Sequence, residues 1–361
     1  MMDTDLITAG TIPVPVRTQE TLVANQITAY LEQHEKALNQ AILDDMVEAF
    51  RRKVVKQLMS TRNTRKGHES CTVYSGACAR KSRYQFDGVD GEPLKARSAL
   101  KFLMGDTIEL DVIGVAQLAG VDLSMNNADL FITGRDGVKI QVHPDGLVCD
   151  WEWSGPVNTA GGGTTILRRG LRGRYNVEVK SCDTRTFDTW DKNGGPDDQW
   201  GYLTQASVEI AAWREAGYDV NSTCFIAVST GSRQGSVSEW LLPYDQSLVD
   251  AWHNRRALAR GLDLPPRPFE AVSELEFVKG KTLDPAVAFA HGVPTERLDK
   301  NGKVYGYDVP TGRMILPTYC GYCAYKAPCW PGVSIDLKDG KVVWVPPPKP
   351  EKVQNYLGEL I

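Results

Sequence analysis

The stretch "YNVEVKSCD", residues 175–183, constrains this chain more than any other. Its polar and apolar residues alternate with period two, the pattern of a strand whose side chains project to opposite faces. Glu178 and Lys180 then share one face, while Val177 and Val179 take the other. Segments of strand character precede it: "DLFITG", a turn at "RDG", and "VKIQVHPDGLVCDWEW", with the glycine-rich break "NTAGGGTT" between them and residue 175. After it, "DQWGYLTQASVEIAAWREAG" reads as an amphipathic helix ending at Gly217, followed by a hairpin from "STCFIAVSTG" and "SVSEWLLPYD" and a helix over residues 246–260.

On the N-terminal side, residues 1–16 read as an irregular lead in which Pro13 and Pro15 block regular structure. From residue 18 to 59, Leu22, Ile27, Leu31, Leu38, Ile42, Met46, Phe50, Val54 and Leu58 recur near a helical period, giving one long helix or two shorter ones. Its polar face turns basic only at Arg51, Arg52 and Lys53. Residues 96–119 read as another helix, with Gly105 inside it at a modest cost. Beyond residue 260 the chain is rich in Pro and Gly, carries a cysteine triplet and ends in "PPPKP", which reads as an extended tail.

At 361 residues, with 42% apolar and 24% charged, the chain has the composition of a folded globular protein larger than one typical domain. The first residues carry no basic and apolar leader, and the longest apolar run is too interrupted to cross a bilayer, which points to a cytoplasmic protein, in a host cytoplasm if the source is viral. Net charge is −4, but from Arg51 to Arg83 ten Lys or Arg face the single Glu69. A second basic run carries Arg168, Arg169, Arg172 and Arg174. Two such runs beside the candidate site point to a phosphate-rich ligand.

Two groups of residues carry chemistry. Asp145, in "VHPDGLV" on a neighbouring strand, and Glu178 form a carboxylate pair that suits a hard divalent cation such as Mg2+ or Mn2+, with Lys180 able to orient a water or offset developing charge. The plainer alternative for E-x-K is an exposed salt bridge. His143, two before Asp145, would share its strand face. The second group is "CGYCAYKAPCW", where Cys320, Cys323 and Cys329 are spaced C-x2-C-x5-C. A thiolate metal site wants a fourth ligand, and Cys71 or Cys78 could supply it, while Cys149, Cys182 and Cys224 read as small apolar residues of the core.

The order of Gly105-x3-Glu109, Asp145, Glu178-x-Lys180 and Gln205 resembles the PD-(D/E)XK nuclease superfamily, in its RecB-like branch. That resemblance implies an α/β, restriction-endonuclease-like core, a mixed central sheet flanked by helices, over residues 71–260. An N-terminal helical region would precede it over residues 1–70, and a C-terminal cysteine segment with a Pro-rich tail would follow over residues 261–361. It implies metal-dependent phosphodiester hydrolysis, with Glu109, Asp145 and Glu178 as Mg2+ or Mn2+ ligands, Lys180 assisting the water and Gln205 beside them. Glu109 stands where a histidine is commoner, and the separation of Asp145 from Glu178 exceeds that of many relatives, as an inserted hairpin would explain.

Cys78, followed by Arg80, Lys81 and Tyr84 in "SGACARKSRYQF", resembles the lead motif of the cluster-containing members, among them the AddB-type subunits and CRISPR-associated cluster nucleases. The resemblance implies that Cys78 joins Cys320, Cys323 and Cys329 around a 4Fe-4S cluster, with Zn2+ as the alternative. It covers residues 75–330 and leaves the N-terminal helices without a role. The implied activity is an exonuclease on DNA ends or single strands, with a helicase or recombination protein as partner. Arg80, Lys81, Arg168, Arg169 and Arg172 would lie against DNA, and Trp151 and Trp153 would stack on bases. The competing reading is a cluster- or zinc-stapled nucleic-acid-binding module with an inactive or auxiliary nuclease site.

Overall fold

The computed structural model of the chain describes residues 22–31, 39–59, 69–93, 96–124, 128–158, 164–231, 236–280, 293–335 and 342–344. The chain forms two compact units: Met1–Val89 with Leu94–Pro265, and Asp90–Pro93 with Pro266–Ile361. None of the described helices is long and apolar enough to cross a membrane.

The first unit is α/β, built on a mixed five-stranded sheet of order β1-β4-β5-β6-β7. The strands are β1 (Leu123–Ser124), β4 (Gly146–Asn158), β5 (Thr164–Cys182), β6 (Val220–Ser229) and β7 (Val237–Pro243). β4 and β5 form a long antiparallel hairpin, from Gly146 opposite Val177 to Asn158 opposite Thr164, and β6 and β7 a shorter one. Between them β5 and β6 run parallel, Glu178 beside Phe225, so the chain crosses over through two helices, α6 (Thr184–Asn193) and α7 (Tyr202–Glu215). The remaining hairpin, β2 (Leu130–Thr133) with β3 (Lys139–Val142), pairs apart from this sheet.

Alternation along β5 and β6 decides which helices cover which face. Val177, Val179, Cys224, Ile226 and Val228 point to one side, where they pack on α1 (Leu22–Leu31) and α5 (Ala96–Leu118). Phe225 and Ala227 point to the other, against Phe187 and Trp190 of α6 and Leu203 and Ala206 of α7. Cys224–Val228 of β6 is therefore buried on both faces and reads as an apolar run. Behind α7, the β2–β3 hairpin closes a third cluster with Trp213, with Cys71 and Tyr74 of α3 (Cys71–Ser75), and with Trp252 of α8 (Gln246–Arg260).

The region from residue 18 to 59 resolves into two helices, α1 and α2 (Gln40–Met59). α1 is held at its start by a buried carboxylate of β7: Glu239 Oε2 accepts from the amides of Val23 and Ala24 at 3.1 and 3.0 Å. A buried anion on two adjacent amides at the start of the described helix meets these donors and suits the helix dipole. α2 approaches α5 closely at Gly114, where an added Cβ would lie 2.2 Å from Met46 Sδ.

Two short helices escape a periodicity reading. α4 (Ala79–Asp87) is capped by Cys78, whose Sγ accepts from the amide of Lys81, and α6 is capped by Asp183. Both are short polar stretches in which buried positions are few.

In the second unit the Pro- and Gly-rich segment forms a sheet, which its sequence pattern does not announce. Strands β8 (Val272–Lys279), β10 (Val304–Ile315), β11 (Val333–Ile335) and β12 (Val342–Trp344) lie in the order β11-β12-β10-β8, with β9 (Thr295–Leu298) also on β10. Pro310 is tolerated because the ladder shifts register just after it, where a missing N–H costs little. Gly306 leaves room for the Phe277 ring, which an added Cβ would meet at 2.3 Å. Buried Glu274 takes Arg313 through both carboxylate oxygens. The "PPPKP" stretch lies outside the described residues.

Gly201, just before α7, has φ 85°, and an added Cβ would lie 2.4 Å from the Ser75 carbonyl oxygen. Gly201→Ala is expected to destabilise the fold by more than the ~1–2 kcal/mol of the left-handed backbone alone, seen as a lower urea midpoint. An unchanged midpoint would contradict this packing.

Candidate functional site

β4 begins at Gly146, and extending its register back would set Pro144 opposite Val179, outside the strand. The chain bends away here, and the side chain of Asp145 takes over the ladder: its Oδ2 accepts from the Val179 amide at 2.7 Å. Asp145 thus stands beside β5 at the level of Glu178 and Lys180, in the bend before the strand rather than within it.

Glu178 and Lys180 project from β5 toward α7, as the alternation requires, and pair with each other, Lys180 Nζ on Glu178 Oε1. Glu178 is 0% exposed. Burying a carboxylate in this way is costly unless each oxygen meets a donor or a cation. Oε1 has both, since Gln205 Nε2 donates to it at 3.0 Å. Oε2 is buried and accepts no hydrogen bond.

Gln205 lies one turn into α7, aimed at β5 rather than at solvent. Its Nε2 also donates to Glu209 Oε1 at 2.8 Å. Glu209 is buried, and its Oε2 accepts from Asn176 Nδ2 at 2.8 Å. Asn176 in turn donates to Thr223 Oγ1 and accepts from Trp213 Nε1.

From the other face, α5 brings Glu109, whose Oε1 lies 2.6 Å from Lys53 Nζ of α2. Burial first, and then the Asp145 charge, push the Glu109 carboxyl up to about 7 against the pull of Lys53 and Lys180. The same two causes raise Glu209 to about 8, opposed by the bonds from Gln205 and Asn176. Glu109, Asp145, Glu178, Lys180 and Gln205 thus share one neighbourhood.

Glu209, Asn176 and Lys53 are added by the structure. Two of these had a sequence signal. Asn176 stands two before Glu178 on the same strand face, and Glu209 four after Gln205 on the same helix face, an acid among apolar neighbours. Lys53 had none, because helix packing alone brings it here.

The fit to a divalent cation rests on the free Oε2 of Glu178 and on an all-oxygen donor set. Among the described residues no three His, Cys, Asp or Glu side chains are gathered as closely as bound ligands. Glu109 is held by Lys53 and would have to exchange that ammonium for the ion. His143 is exposed and lies 3.9 Å from Asp129.

Arg80 donates to the Pro265 carbonyl and to Tyr84, packing α4 within its unit. The side chains of Arg168, Arg169, Arg172, Trp151 and Trp153 lie outside the described residues, although their backbone runs in the β4–β5 hairpin.

Cys71 is buried in the core beside Ser75, and burial raises its thiol far above the usual range. Cys78, at the N-terminus of a helix, accepts from the Lys81 amide at 3.3 Å. Cys149 and Cys182 are half-buried and Cys224 buried. In the second unit, Cys320, Cys323 and Cys329 lie on a knuckle of two single helical turns, Thr318–Gly321 and Lys326–Cys329. Cys323 Sγ accepts from the Tyr325 amide at 3.4 Å, and Arg267 holds the Cys329 carbonyl at 2.6 Å.

No family model and no curated protein matches the chain. Among solved structures, the crystal structure of SSO0001 aligns with 61% of this chain and 88% of its own, at 13% identity and a TM-score of 0.27. A likeness this slight carries neither fold nor function to the chain.

The raised carboxyls set a pH dependence. Glu109 and Glu209 bind their protons more tightly folded than unfolded, where both sit near 4.5. Their contribution to stability is complete below that unfolded value and is lost as pH rises through about 7 and about 8. The urea midpoint of metal-free protein is therefore expected to fall from pH 5 to pH 9, and Glu209→Gln to flatten the slope. A wild-type midpoint that rises over this range would refute the assignment.

Proposed function

We propose that the chain is a metal-dependent deoxyribonuclease of the PD-(D/E)XK type, with a restriction-endonuclease-like core, acting as an exonuclease on DNA ends or single strands. One observation carries this reading. Acidic side chains from α5, the bend before β4, and β5 converge with Lys180 where β4 leaves β5, and a buried oxygen of Glu178 lacks a hydrogen bond there. A site that only stabilised the fold would gain nothing from that orphaned oxygen.

Asp145 and Glu178, with Glu109 in exchange for Lys53, would hold Mg2+ or Mn2+. Such an ion supplies Lewis-acid polarisation of a phosphoryl oxygen and a water of lowered pKa. Lys180, 24% exposed at its side chain, reaches solvent from the same strand face as Glu178 and can hold a water or offset charge on the phosphate. Gln205 restrains Glu178 by occupying Oε1. The basic run at the end of α2 and the arginines of the β4–β5 hairpin would track the phosphate backbone.

The cysteine layout carries a cofactor proposal of its own: a 4Fe-4S cluster on Cys78, Cys320, Cys323 and Cys329. Amide-to-sulfur bonds such as those at Cys78 and Cys323 are of the kind that tune cluster thiolates.

Lys180→Ala is expected to slow Mn2+-dependent digestion of linear DNA by about 100-fold or more with little change in the urea midpoint. Unchanged digestion would remove this site from consideration. Anaerobically purified full-length protein is expected to be brown, with broad visible absorption that Cys320→Ser abolishes. A colourless protein carrying one zinc would assign Zn2+ instead, and protein with neither metal would overturn both.

A further inference from the structure

Glu209 and Asn176 belong to neither the carboxylates that would hold the ion nor the apolar core, yet both are buried and joined to Glu178 through Gln205. The orientation of both amides in this chain is fixed. Trp213 Nε1 only donates, so the Asn176 atom 2.9 Å away is Oδ1, which turns Nδ2 toward Glu209 Oε2 and Thr223 Oγ1. Gln205 faces Glu178 Oε1, which already takes the Lys180 ammonium and so can only accept, and it therefore presents Nε2 there and to the neighbouring Glu209 Oε1. Reversing either amide would set donor against donor or acceptor against acceptor. The orientation begins at the indole of Trp213, 0% exposed in the core, and ends at one named oxygen of Glu178.

We propose that Glu209, oriented by Asn176, is a positioning residue that holds Gln205 on Oε1 of Glu178 and so reserves Oε2 for the cation. The inference rests on the nuclease reading for the use of that cation, but its test does not require cleavage. Glu209 itself touches neither ion nor substrate. It acts through the Gln205 amide, which without a second acceptor would turn about its own χ angles and release Glu178 to rotate. Partners one step behind a metal ligand of this kind are commonly worth 10–100-fold in metal affinity.

The experiment is Mn2+ binding to the purified full-length chain without DNA, read from the electron paramagnetic resonance signal of free Mn2+. Glu209→Leu, close in volume and unable to accept, is expected to weaken Mn2+ binding about tenfold or more. Single-stranded DNA binding in Ca2+ should stay within about twofold, since nothing in this chain of bonds reaches the phosphate path. If Glu209→Leu does not fold, Glu209→Gln keeps an acceptor for Gln205 and is expected to weaken Mn2+ binding by only about threefold, a partial rescue. Wild-type Mn2+ affinity in Glu209→Leu, or in Glu209→Gln together with Asn176→Leu where only those fold, would overturn the proposal. Wild-type protein that binds no Mn2+ would overturn it as well. A wild-type chain that binds Mn2+ in a Glu209-dependent way yet cuts no DNA would instead sink the nuclease reading and leave this inference standing.

Discussion

The Glu178 carboxylate, buried between β5 and α7, is the contact on which the rest of the first unit turns. Its Oε1 takes the Lys180 ammonium of the same strand and the Gln205 amide of α7, so the strand and the helix that cover each other are joined by a hydrogen bond to a charged group as well as by packing. A buried anion tolerates little displacement of its partners. The position of α7 is therefore dictated from two sides: by Gln205 at one point and by Gly201, which lets the helix start hard against the Ser75 carbonyl. Phe225, Trp190 and Tyr202 then fill the space that this spacing leaves.

β5 reconciles two demands that usually conflict. Its Val177 and Val179 face serves the apolar core under α1 and α5, and its Asn176, Glu178 and Lys180 face serves a polar network under α7. Beside Glu178 its neighbour β4 withdraws, at Gly146. The withdrawal exposes an amide that Asp145 then claims, which is why a carboxylate appears beside Glu178. The break in the sheet and the collection of acids are thus one event. On the opposite face the same logic recurs with Glu239, whose carboxylate is spent on the first amides of α1 and on the thiol of Cys224.

Much of the core was legible in the sequence, because its strands and helices keep their periods. The alternation over residues 175–183 placed Glu178 and Lys180 on one face, and the helix over residues 96–119 appears as α5. The second unit was not legible. Its strands are interrupted by Gly306, Pro310 and Gly312, and many of their residues remain exposed, so no period stands out from residue 272 to 315. α4 and α6 are short and polar and bury only a few positions each, so they stand out little from the loops around them.

The sequence by itself determined which residue types could face one another across β5, since period two leaves no choice once a strand is granted. It also determined that Gln205 and Glu209 share a helix face, one turn apart. Only the tertiary structure decided that α7 turns that face inward and that α2 lies close enough for Lys53 to reach Glu109. Facing is a local property of the backbone, set by a few torsions. Proximity between elements depends on close contacts such as Met46 against Gly114, which couple residues far apart in the chain and leave no periodic trace in it.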